Sequence, residues 1–129
     1  MSPTPIFSPH APAPAPAYSQ AMLSGNFIFT TGQVGMDPKT SEIPSDFRME
    51  VRLALSNLKA LLAAEGAGPS DVIRTMCLLT TMDNSEVFNE EYMAFFEGHR
   101  PARSSFVVGL GGDLRFEMEV IAERPNSSK

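Results

Sequence analysis

Two helical stretches of this chain are apolar on one side only, and that asymmetry restricts the fold more than any other feature. From Asp46 to Glu65 the residues Phe47, Val51, Ala54, Leu55, Leu58, Leu61 and Leu62 recur at helical spacing on a single face. Gly66 and then Gly68-Pro69 end this helix, as a C-terminal glycine followed by proline does. The second stretch carries Val87, Phe88, Tyr92, Phe95 and Phe96 and stops at Gly98. Asp83, with Glu86 three residues later, predicts a capping box at its start. A one-sided helix must bury its stripe against another element. Each helix here stands alone between β-rich runs, so the element is a sheet reached by right-handed crossovers. Both helices then cover one sheet face, and the other face must be buried elsewhere.

The β-rich runs are punctuated by turn residues. Met22-Leu23-Ser24 and Phe27–Thr31 form a hairpin around Gly25-Asn26. Gly32-Gln33-Val34-Gly35 breaks the second strand, Asp37-Pro38-Lys39-Thr40 is a turn, and Pro44-Ser45-Asp46 starts the first helix. Val72–Thr81 is a strand, and Ser104–Leu110 and Leu114–Glu123 close the chain across Gly111-Gly112-Asp113. The order is ββ(β)αβαββ, an α+β fold with a mixed six-stranded sheet and two helices on one face. With 129 residues, the whole of 1–129 is expected to be one domain. Residues 1–17 form a Pro/Ala-rich arm, with Ala and Pro alternating from Ala11 to Ala17. Alternating proline predicts an extended, polyproline-like surface segment, neither helix nor central strand. A proline-rich ligand for a partner domain is the alternative reading of this arm.

Composition removes several function classes. A net charge of −5 disfavours a nucleic-acid binder, which needs a basic surface. One cysteine excludes an intramolecular disulfide and a Cys-rich zinc site, and His10 and His99 alone leave little for a metal centre. The N-terminus lacks the pattern of a signal peptide, and no apolar run is long enough for a membrane helix. The expected compartment is therefore the cytoplasm, with no membrane partner. Cys77 reads as a small buried hydrophobe and His99 as a solvated cap of the second helix.

The chemistry is expected on the last two strands. Phe106, Val108 and Leu110 alternate with Arg103, Ser105 and Val107, while Leu114, Phe116, Met118 and Val120 alternate with Glu117, Glu119 and Ile121. Matching the apolar faces puts Arg103, Ser105, Glu117 and Glu119 together on the face that the helices leave open. One reading is an exposed Arg103–Glu117 salt bridge. The other is an arginine that clamps a small carboxylate beside a general base.

Several segments carry a family resemblance. They are Ala17-Tyr18-Ser19-Gln20, Thr30-Thr31-Gly32-Gln33-Val34, Asp37-Pro38-Lys39-Thr40, Leu55-Ser56-Asn57-Leu58 and the helix from Phe88 to Phe96. Most specific is Arg100-Pro101-Ala102-Arg103-Ser104 followed by Phe116-Glu117-Met118-Glu119. From Tyr18 to Arg124 the sequence resembles the Rid (YjgF) family of small deaminases. The resemblance implies a chorismate-mutase-like fold and a homotrimer whose three sheets form a central barrel, with active sites in clefts between subunits. It implies cofactor-free hydrolysis of enamines and imines such as 2-aminoacrylate (2-iminopropanoate) and 2-iminobutanoate to 2-keto acids and ammonia.

By that resemblance Arg103 clamps the substrate carboxylate, Glu117 positions or activates water, backbone N–H groups near Gly32 and Ser105 contact the substrate, and Tyr18 and Asn89 line the site. Many members carry cysteine where this chain has Ser105, and the Gly111-Gly112 connection and the Ala-Pro arm also depart from the usual pattern. Two further functions are compatible with these residues: a pathway-specific deaminase of a larger, aminomuconate-like enamine acid, and a non-catalytic regulatory trimer that binds a small ligand. Ribonuclease activity fits poorly with the acidic net charge.

Overall fold

The computed structural model describes residues 2–125. Its two α-helices are α1, Phe47–Ala63, and α2, Ser85–Phe96. Asp46 caps α1, its side chain accepting the Met49 N–H at 3.0 Å. The capping box expected at α2 does not form. A 3₁₀ turn over Met82–Asn84 precedes the helix, and the hydroxyl of Thr81 caps that turn by accepting the Asp83 N–H at 3.2 Å. Asp83 is thus inside the turn, and Asn84, one residue later, takes the N-cap position of the helix without a side-chain capping bond. Glu97 takes a left-handed conformation, φ 49°, and Gly98 follows at φ 97°, which ends α2.

The strands are β1 Thr4–Ile6, β2 Ala21–Ser24, β3 Phe27–Thr30, β4 Gln33–Val34, β5 Val72–Leu79, β6 Ala102–Val107 and β7 Phe116–Glu123. They form one seven-stranded sheet in the order β1-β2-β3-β7-β5-β6, with β4 also on β7. The sheet thus has one strand more than expected. The arm supplies β1, an edge strand that tolerates Pro5, and buries Ile6 in the core. The glycine-flanked segment read as a break still pairs over two residues, Gln33 with Met118 and Val34 with Glu117. The β5–β6 pair is parallel, joined through α2 as a crossover requires, and β7 runs antiparallel to both β3 and β5.

Both helices pack on one face. Along β7 the side chains of Phe116, Met118, Val120 and Ala122 are buried, while Glu117, Glu119 and Ile121 are half-buried on the reverse side. Val51, Leu55, Leu58 and Leu62 of α1 and Phe88, Tyr92 and Phe96 of α2 join those β7 residues and Ile28, Cys77 and Leu79 in one core. Each large apolar side chain buried this way contributes about 1.5–3 kcal/mol. The Phe88 and Phe116 rings lie 5.2 Å apart, and Thr75 and the Tyr92 hydroxyl share a buried hydrogen bond of 2.8 Å, which fixes the position of α2 over the sheet. The helices are also pinned to each other by Glu91, whose carboxylate accepts from Arg48 at 2.6 Å and Arg52 at 2.7 Å. The reverse face of the sheet carries Phe27, Phe29 and Phe106, all exposed.

Candidate active site

Glu117 projects from the reverse face of β7, paired in register with Val34 of β4 and Leu78 of β5. Gly32, at the end of the hairpin, lies against it. A Cβ on Gly32 would fall on the Glu117 carboxylate, so any side chain there displaces the acid. Burial pushes the Glu117 carboxyl up from its ordinary value, and the neighbouring charge of Glu119 pushes it in the same direction. The carboxylate borders a cavity of about 420 Å³ together with Gly32, Tyr18 and Leu114. Tyr18 is 53% exposed at its mouth.

Arg103 lies elsewhere. On β6 it pairs with Thr75, and Ser105 pairs with Cys77. Thr75 and Cys77 are buried under the helices, so Arg103 and Ser105 point to the helix side. This overturns the expectation that Arg103, Ser105, Glu117 and Glu119 share the open face. The reason is that β6 is an edge strand with no buried residue, Ser104 being half-buried and the rest exposed. Phe106 and Val108 are therefore not core markers, and matching them to Phe116 and Met118 set the strand in the wrong parity. Within one chain Arg103 and Glu117 occupy opposite faces, which removes the salt-bridge reading as well.

The arginine is nonetheless held in a defined cradle. Its guanidinium carbon stands 4.8 Å from the centre of the Tyr92 ring and 5.2 Å from that of Phe88. Its Nη1 donates to Asn89 Oδ1 at 2.8 Å. Tyr92 is in turn held by its hydrogen bond to Thr75. Asn89, expected to line the site, thus orients the arginine. One nitrogen of the guanidinium is held by this contact, and the residue is otherwise exposed, so a planar fork of donors is within reach of a ligand.

Six residues named from the sequence therefore form two groups. Tyr18, Gly32 and Glu117 meet at the cavity, and Asn89 and Arg103 meet at the cradle, with Ser105 two residues further along the same face of β6. Cys77 is buried below Ser105, where burial pushes its thiol up, away from the reactive thiolate. His99 is not a solvated cap. Its Nε2 lies 2.6 Å from the Val72 carbonyl, which ties the end of α2 to the start of β5. Sequence reasoning missed two contributors. Tyr92 read only as part of a helix face, and Gln20, which is 1% exposed, gave no periodic signal at all.

Comparison with known proteins agrees with this architecture. A family model described as Endoribonuclease L-PSP matches residues 8–124. A RutC family protein of Pyrococcus horikoshii is 41% identical over 119 residues, covering 91% of this chain and 94% of that protein. The 2-iminobutanoate/2-iminopropanoate deaminase of Escherichia coli is 38% identical over 123 residues, covering 92% of this chain and 96% of its own length. Among solved structures, E. coli TdcF with bound serine superimposes with a TM-score of 0.90 at 35% identity, over 95% of this chain and 99% of that one. Two one-sided helices over a mixed sheet, the Pro-Ala-Arg-Ser and Glu-x-Glu strands, and these likenesses over nearly the full length together place the chain in the Rid (YjgF) family.

Proposed function

We propose that this chain hydrolyses small 2-imino acids and their enamine tautomers to 2-keto acids and ammonia, at a site completed by a second copy of itself. One observation carries the reading: the Arg103 cradle and the cavity at Glu117 are both formed within one chain, yet lie on opposite faces of the sheet. A second copy that lays its Arg103 cradle over the Glu117 cavity would unite them. The exposed phenylalanines of the reverse face are the surface such an assembly would bury, and a closed ring of three copies would do so without free ends.

The chemistry follows from the two groups. Arg103 of one copy binds the substrate carboxylate in a fork, which fixes the imine carbon relative to Glu117 of the other. Glu117 accepts a proton from water as the oxygen bonds to that carbon, the C=N π pair moves to nitrogen, and Glu117 returns the proton there to give the carbinolamine. Glu117 then carries the hydroxyl proton to the amino nitrogen as the C=O bond forms and the C–N bond breaks, releasing ammonia and the keto acid. A carboxyl pKa raised by burial and by Glu119 suits this role, because it makes the carboxylate a stronger base toward water. Imines hydrolyse unaided in water, so orientation and one base are sufficient. The E. coli relative named for 2-iminobutanoate and 2-iminopropanoate supports the substrate class, and serine bound to TdcF supports a small ligand with a carboxylate. An RNA substrate is not favoured, since a net charge of −5 repels a polyanion.

The test generates 2-iminobutanoate with a threonine dehydratase and follows its disappearance. Acceleration by the wild type is expected. Equal rates with and without the protein would sink the deaminase reading, and a monomer by light scattering would sink the shared site.

A further inference from the structure

The Ala-Pro arm, which reads in the sequence as a surface strap, forms part of the cavity beside Glu117. Pro12, Ala13 and Pro14 line it, facing Val34, Met36 and Leu114. We infer that this arm is the wall that selects the substrate side chain, that Gln20 is the residue positioning it, and that the side chain admitted is uncharged and apolar. The inference rests on the deaminase reading for its substrate class and goes beyond it in naming the side chain.

The pinning is specific. The Gln20 side chain is buried, and its amide works in both directions. Its Oε1 accepts the Ser8 N–H at 2.7 Å, and its Nε2 donates to the Ser8 carbonyl at 3.0 Å and to the Pro12 carbonyl at 2.8 Å. A single side chain thus closes the Ser8–Pro12 turn. The backbone of Gln20 is fixed at the other end, since its carbonyl accepts the Thr31 N–H at 2.9 Å, one residue before Gly32. Gln20 therefore sets the distance between the proline wall and the floor on which Glu117 rests.

The chemistry of the wall sets the substrate class. Pro12 and Pro14 have no N–H to offer, and the Pro12 carbonyl is already occupied by Gln20. A charged group placed against Pro12, Pro14 and Leu114 would lose hydration and gain no N–H from those three residues, the Leu114 N–H being taken by the Gly111 carbonyl, while Tyr18, Thr31 and Gln33 form the polar part of the lining. An aliphatic group would lose only water contact, which favours it. Proline at alternate positions also keeps the wall stiff, so little ordering is needed when a ligand arrives.

Binding of three 2-keto acids by calorimetry tests this without requiring catalysis: 2-oxobutanoate, 4-methyl-2-oxopentanoate and 2-oxoglutarate. The matching imines, generated by an amino-acid oxidase, supply the kinetic readout. The wild type is expected to bind the branched apolar acid about tenfold or more tightly than 2-oxoglutarate. Ala13 is exposed, so Ala13→Trp fills the cleft without disturbing the core, and it should weaken 4-methyl-2-oxopentanoate about tenfold relative to 2-oxobutanoate. In Gln20→Met the preference for the apolar over the acidic acid should collapse through KM rather than kcat, whereas mere loss of folded protein would scale all substrates alike. Tight 2-oxoglutarate binding, or a preference indifferent to Ala13→Trp, overturns the wall and leaves the deaminase reading standing. Selective keto-acid binding with no imine hydrolysis overturns the deaminase reading and leaves the wall.

Discussion

β6 and β7 each present one of the two groups on which the proposed chemistry depends, and they could hardly be built more differently. β7 lies between β3 and β5, and its side chains alternate strictly between a buried and a half-buried face. β6 is an edge strand exposed along almost its whole length. On β7 the apolar residues report the core, because a side chain on the wrong face would lose its burial. On β6 they report nothing of the kind, because neither face is buried within the chain. Glu117 could therefore be assigned a face by alternation, and Arg103 could not. The difference teaches where period-two patterns can be trusted: on strands flanked on both edges and covered on one side.

The strongest way to break this comparison is to remove each group and then combine the losses. Glu117→Gln is expected to lower kcat/KM by about 10²–10⁴-fold, the range for a lost general base. Arg103→Ala should cost a comparable factor through loss of the oriented carboxylate. Mixing the two inactive variants under conditions that exchange subunits should restore part of the activity, since some sites then pair an intact Arg103 with an intact Glu117. A mixture as inactive as its parents would place both residues in one chain's site and reverse the reading of the β6 face.

A smaller effect probes the cradle. Asn89→Ala removes the acceptor that aims Arg103 and should reduce kcat/KM by about tenfold, near the worth of one charge-assisted hydrogen bond. Binding of a keto acid by calorimetry should weaken in parallel, and unaltered binding would remove Asn89 from the positioning role.

The smallest expected effect is a displacement along the pH axis. Glu117 acts when deprotonated, so kcat/KM should rise with pH through a value above the ordinary carboxylate range. Glu119→Gln removes one of the two causes of that elevation, so the inflection should move to lower pH. A movement upward, or none, would show that Glu119 does not act on Glu117. The same elevation means that folding favours protonated Glu117, so its contribution to stability is lost as the pH rises through its folded value.

Much of this fold is legible in the sequence. The helix faces, the hairpin around Gly25-Asn26 and the alternation of β7 are local periodicities, and the structure keeps each of them. Other features had no local signal. The α2 cap moved because Thr81 captured the first turn as a 3₁₀ segment. The segment around Gln33 pairs with Met118, eighty-five positions away by numbering, despite its glycine flanks. The arm looked free because nothing in Ala-Pro repetition announces that a buried glutamine holds it.

What the sequence determined by itself is therefore the set of elements and their apolar sides, because spacings of 3.6 and two residues are written into consecutive positions. Tertiary structure alone decided which strand is central and which is an edge, which face Arg103 takes, and that Pro12 and Pro14 border the Glu117 cavity. Those choices rest on hydrogen-bond register and side-chain contacts between residues remote in the chain. Their free energy exists only once the remote partners have met, so no local pattern records it.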